Sequence, residues 1–189
     1  MKKLATLFTD SYRELFRVRT ITLCAMFGAL SIVLGYFTIR VGDYFNLGFA
    51  GLANELVHFI FGPVVGGVFG GVMDILKYII NPSGAFFFGF TFNAILAGVI
   101  YGAFWYKRPL SFARVMAARL VVIVVCNLLL NTLWLSMLSG KGFLVLLGPR
   151  VLKNLIMWPV DSLVFVMVAG ALERSGVLKE LRKAADFVR

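Results

Sequence analysis

Asn127, Asn131 and Trp134 recur at i, i+4 and i+7, a spacing that puts two amides and an indole on one face of a helix. Each amide both donates and accepts, so such a face can match a ligand edge that carries both functions. Arg150, Lys153, Asn154, Met157 and Asp161 fall within an arc of roughly 100° when successive residues turn by about 100°. Asp74, Lys77 and Tyr78 repeat the i, i+3, i+4 pattern, and Asn93 adds a further amide. Arginine and lysine are carboxylate binders, arginine in a two-point fork. Phe45, Phe86, Phe87, Phe88, Phe90, Trp134 and Trp158 offer flat faces on which a heteroaromatic ring can stack, although the same residue types also serve as core or as headgroup anchors. These residues are the equipment of a binding site for a flat ligand with anionic groups.

Reaction chemistry has no comparable constellation. There is no GxxxxGK[ST] phosphate loop, no HExxH and no Gly-x-Ser-x-Gly elbow, and His58 has no second histidine to pair with. Cys24 and Cys126 lie in apolar runs without metal-ligand spacing and read as small core residues. The chain is therefore read as a binder or carrier that is not an enzyme and needs no metal or cofactor.

The elements that hold these residues follow from composition. Of 189 residues, 60% are hydrophobic and 15% charged, against about 25% charged in soluble domains. That excludes a soluble monomer, and the abundance of aromatic and β-branched residues excludes a disordered chain. The net charge of +10 is split between long apolar runs instead of forming one basic face, so no nucleic-acid partner is expected. The lipid bilayer is the expected surrounding, and apolar runs long enough to cross it lie at 21–39, 47–61, 63–80, 88–106, 115–138 and 149–173. Gly62-Pro63 makes a tight turn between the second and third, and Gly66, Gly67, Gly70 and Gly71 let the third approach a neighbour closely.

Thirteen Lys and Arg residues fall on the termini and the loop near 107–114, against Arg40 and Lys141 in the opposite loops. The expected fold is thus an all-α integral membrane protein of six transmembrane helices with both termini cytoplasmic. It forms one domain over 1–189, with a core at 20–173 between cytoplasmic segments 1–19 and 174–189. In this orientation Lys77, Arg150 and Lys153 lie in the outer half near Arg40, which makes a cationic outer cavity. Asp74 with Lys77, and Asp161 with Arg150 or Lys153, are alternatively pairs that satisfy one another. Glu55 and His58, one turn apart, read as a local polar pair.

Ala25-Met26-Phe27-Gly28-Ala29 in the first span, the Gly-Pro turn and six spans without an ATP-binding motif resemble the substrate-binding S components of energy-coupling factor (ECF) vitamin transporters. Within that family, Asn81-Pro82-Ser83-Gly84-Ala85-Phe86-Phe87-Phe88-Gly89-Phe90-Thr91, the run from Asn127 to Ser136, and Arg150-Val151-Leu152-Lys153-Asn154 look like the folate-specific members. The resemblance covers about residues 20–173. It implies capture of folate outside the plasma membrane of a bacterium, by a site comprising Arg40, Phe45, Asp74, Lys77, Phe86, Asn93, Asn127, Asn131, Trp134, Arg150, Lys153 and Asn154. It also implies docking of a transmembrane coupling subunit on Ala25 and Ala29, with two separate ATPase subunits supplying energy. An S component for another flat anionic vitamin or precursor, or a structural membrane subunit, is the alternative.

Overall fold

The computed structural model describes residues 2–36, 39–41, 45–47, 50–82 and 86–176. Helix α1 (Lys2–Leu15) is followed by α2 (Val18–Tyr36), a two-stranded antiparallel ribbon β1 (Ile39–Val41) and β2 (Phe45–Leu47), α3 (Ala50–Ile80), α4 (Phe88–Trp105) and α5 (Phe112–Val122). A π-helical segment (Ile123–Leu130) joins α5 to α6 (Asn131–Ser139), and α7 (Phe143–Arg174) completes the order. Ile39 pairs with Leu47 and Val41 with Phe45. The ribbon is the one departure from an all-helical fold among the described residues, and it occupies the first of the expected outward loops.

Among the described residues, five helical stretches are long and apolar enough to cross a bilayer: Val18–Tyr36, Ala50–Ile80, Phe88–Trp105, Phe112–Ser139 and Phe143–Arg174. The second and third expected spans both fall within α3, whose helix is interrupted at Gly62. There φ is 89° and ψ −169°, a backbone conformation that glycine adopts without a Cβ penalty, and Pro63 then starts the next helical turn without needing its missing N–H. Ser11 of α1 fills the break. Its Oγ donates to the Phe61 carbonyl at 2.8 Å and accepts from the N–H groups of Val64 and Val65 at 3.0 and 3.2 Å. Those are backbone groups that an interrupted helix would otherwise leave without partners.

α3 is the central element, buried along most of its length between α2 and α4. The glycine stripe works as the spacing predicts: a Cβ at Gly70 would lie 2.5 Å from the Ala94 carbonyl, and one at Gly98 would collide with the Gly66 carbonyl. Tight backbone approach of this kind is a principal source of helix association in lipid, where apolar burial against water is absent. Toward the Gly62 break the core becomes aromatic. Tyr101 stacks on Trp105 at 4.5 Å, Trp105 on Phe165 at 4.6 Å, and Phe59 meets Phe165 edge-on at 6.2 Å. The outer helices turn Ile21, Met26, Leu30, Val33, Leu144, Leu152, Leu155, Leu163 and Met167 outward. An apolar exterior around a packed interior is the pattern of a helix bundle in hydrocarbon.

Candidate ligand-binding site

Helices α3, α4 and α6 and the π-helical segment enclose a cavity of about 760 Å³, within the range of about 300–1,000 Å³ typical of small-molecule sites. Asp74, Lys77, Phe86, Asn93, Asn127 and Asn131 all border it, so six of the twelve residues expected to bind the ligand converge on one space. Tyr78, Asn81, Phe87, Phe90, Ala94, Ala97, Cys126, Leu135 and Leu138 complete the lining.

The amides are held by their neighbours. Asn93 Nδ2 donates to the Cys126 carbonyl at 3.4 Å, while its Oδ1 accepts from Trp134 Nε1 at 3.4 Å. An amide offers two donors and two lone pairs, so Asn93 retains one of each beyond these contacts. The Cys126 carbonyl also accepts from the Asn131 backbone N–H, an i to i+5 bond of the π-helical turn. Such turns are rare, and they cluster at functional sites because they re-aim side chains and expose carbonyls. Asn127 Nδ2 donates to Asn154 Oδ1 at 3.3 Å, and Asn154 Nδ2 to the Arg150 carbonyl at 2.8 Å. Trp134 and Asn154 thus stand behind the lining and orient Asn93 and Asn127.

Asp74 accepts a 2.7 Å bond from Thr91 Oγ1, and no Asp74–Lys77 ion pair occurs among the described residues. Among the described residues Lys77 is the one cation in the lining, and it also borders a recess of about 240 Å³ against α2. Aromatic rings crowd one side: Phe86 lies 5.0 Å from Tyr78, and Phe87 lies 5.5 Å from Trp134 and 5.9 Å from Phe90. Tyr78 and Phe87 were visible in the sequence as part of a polar face and an aromatic run, without anything to mark them as lining. Arg150 and Lys153 are half-buried on α7 and do not border the cavity. The side chains of Arg40 and Phe45 lie outside the described residues.

The structure pairs Glu55 and Asp161 differently from the expected Glu55–His58 pair and from the alternative pairing of Asp161 with Arg150 or Lys153. Glu55 does not pair with His58 but with Arg119, whose Nη2 lies 2.7 Å from Glu55 Oε2. Asp161 also faces Arg119, at 3.6 Å, and among the described residues it forms no ion pair with Arg150 or Lys153. His58 is buried, with its ring stacked near Tyr101 at 6.1 Å. Arg119 is not legible as a site residue in the sequence, because a single arginine within a long apolar stretch carries no spacing signal. Its presence opposite Glu55, a lone carboxylate in another span, was the available clue, since buried charges need partners.

Ala25 and Ala29 lie on the outer side of α2, both exposed, and border an almost wholly apolar groove of about 480 Å³ that Phe69, Val72, Met73 and Leu76 of α3 help to line. This groove is separate from the amide-lined cavity.

Residues 19–169 match the family described as ECF transporter, substrate-specific component. The chain is similar to a curated protein of Clostridium novyi named folate transporter FolT, at 34% identity over 171 residues that span 90% of this chain and 98% of the relative. A folate transporter FolT of Leuconostoc mesenteroides is 36% identical over 150 residues, 76% of this chain and 80% of that one. Among solved structures, FolT bound with folic acid superposes with a TM-score of 0.70 at 32% identity, covering 80% of this chain and 91% of the other. The chain belongs to the substrate-specific components of ECF transporters.

Proposed function

We propose that this chain is a folate-binding membrane subunit of an ECF transporter, taking the vitamin from outside and releasing it inward when an energising complex engages it. The observation that carries the reading is the cavity in which Asn93, Asn127 and Asn131 converge beside aromatic rings. A pterin is a flat heteroaromatic with a donor–acceptor edge, and orientated amides match that edge while the rings cover its faces. Similarity to proteins named for folate transport supports the choice of vitamin.

In this reading the chain is a single domain of six spans, α3 supplying two of them on either side of Gly62, with both termini cytoplasmic as the distribution of Lys and Arg requires. Lys77 is then the first cation the glutamate tail meets, with Arg150 and Lys153 on α7 and Arg40 of β1 supplying further positive charge in the outer half. Ala25 and Ala29 dock the transmembrane coupling subunit, and two ATPase subunits hydrolyse ATP. The setting is the plasma membrane of a bacterium.

The test is the small molecule that co-purifies with the full chain, identified by absorbance and mass. A folate is expected, and the isolated chain should hydrolyse no ATP. A different flat anionic vitamin at stoichiometric occupancy would overturn the assignment of substrate.

A further inference from the structure

α1 has three faces. Toward the bundle it buries Ser11 and Glu14, with Ser11 seated in the Gly62 break. On a second face Phe8, Tyr12 and Phe16 follow one another at intervals of four, and their exposure rises from 38% through 54% to 66%. Tyr12 and Phe16 touch edge to face at 5.1 Å, so the stripe is continuous. The third face carries Arg13, which is exposed, and the sequence adds Lys2 and Lys3 at the start of the helix.

In the proposed topology the helix falls at the level where the bundle meets the headgroups. The first membrane-crossing helix starts at Val18, just beyond its end. Asp10 of α1 binds Lys107, in the turn that follows α4, at 2.8 Å. The acidic groups of α1 are both engaged inside the protein: Asp10 with Lys107, and Glu14 with Arg17 at 2.8 Å and Thr20 at 3.1 Å. What remains outward is aromatic on one arc and cationic on the next. A helix with a strongly apolar face and a basic flank lies in the plane of the interface, its rings at the acyl boundary and its cations among the phosphates.

We propose that α1 is an anionic-phospholipid contact: Phe8, Tyr12 and Phe16 enter the headgroup–acyl boundary, and Arg13 engages lipid phosphates. Charge complementarity selects this occupant, because the exposed Arg13 flanks the stripe while the carboxylates of the helix are paired within the chain. The same helix holds the α3 break through Ser11, so the lipid surface and the bend in the central helix share one element.

Hydrogen–deuterium exchange of the full chain in nanodiscs tests this without ligand or partner subunits. Amides of residues 8–16 should exchange about tenfold more slowly in phosphatidylglycerol-rich discs than in phosphatidylcholine discs, since each cation near an anionic surface contributes on the order of 1 kcal/mol. The difference should shrink at high salt and in Arg13→Glu, an exposed position that does not threaten the fold. Changing Phe8, Tyr12 and Phe16 together to Ser should raise exchange in both lipids. Equal exchange in the two compositions would overturn the proposal. So would reproduction of the protection by inorganic phosphate with phosphatidylcholine alone, or protection that arises only when other transporter subunits are added. Folate retention, read in the same discs, reports separately on the cavity.

Discussion

Replacing Arg119 with Met should be among the most damaging single changes in this protein, although Arg119 touches no part of the proposed ligand cavity. Its side chain is 8% exposed and its guanidinium faces Glu55 at 2.7 Å and Asp161 at 3.6 Å, tying α5 to α3 and α7. Removing one member of a buried ion pair leaves the other charge uncompensated and costs about 3–5 kcal/mol. Most of that cost belongs to Glu55, whose side chain is 12% exposed against 40% for Asp161. Asp161→Asn should therefore destabilise much less than Arg119→Met. A loss of this size lowers the melting temperature of a chain of this length by on the order of 10 °C. The assay is a melting curve in detergent, read by fluorescence-detected size exclusion, for Arg119→Met, Glu55→Gln and the double variant. The double variant should lose less than the sum of the singles, because it removes both charges at once. A wild-type melting point for Arg119→Met, or strictly additive losses, would refute the view that this pair joins the helices.

Gly98→Ala should prevent α3 and α4 from closing, since its Cβ would collide with the Gly66 carbonyl; backbone cannot give way as a side chain can, and a monodisperse, heat-stable variant would contradict this. Ala25→Trp or Ala29→Trp should abolish folate uptake by cells that express the energising subunits while leaving binding to the isolated chain intact, because the apolar groove and the amide-lined cavity are separate. Asn93→Ala and Asn127→Ala should weaken folate and a pterin fragment alike, by about 5- to 10-fold for each lost bond of about 1–1.5 kcal/mol. Arg150→Ala and Lys153→Ala should weaken folate more than the fragment; calorimetry with both ligands separates the two patterns.

The sequence made the helices legible because lipid imposes a length and an apolar composition on each span. Gly62-Pro63 and the glycine stripe were legible for the same kind of reason: one backbone conformation and one close approach that few residues tolerate. Asn93, Asn127 and Asn131 stood out as amides in apolar runs, and they converge on the cavity. Periodicity failed locally in the fifth helical stretch, where Ile123–Leu130 is π-helical and the turn widens by a residue. Apart from Asn127 that run is apolar, so too few polar residues mark a face for its change of period to be read. Trp134 supports Asn93 by a hydrogen bond and is not among the residues that line the cavity. The partner of Glu55 was illegible for another reason. Residues 55 and 119 are 64 apart, and only the assembly of the whole bundle decides that they meet.

The central claim is that folate occupies the cavity lined by Asn93, Asn127 and Asn131. Its most direct test is a calorimetric titration of the purified, ligand-free chain with folate, run in parallel on Asn131→Trp, whose indole would fill the space between α6 and α4. Saturable one-to-one binding is expected for the parent chain, with its loss in a variant that still elutes as a folded protein. No saturable heat with the parent chain, or undiminished binding in Asn131→Trp, would contradict it.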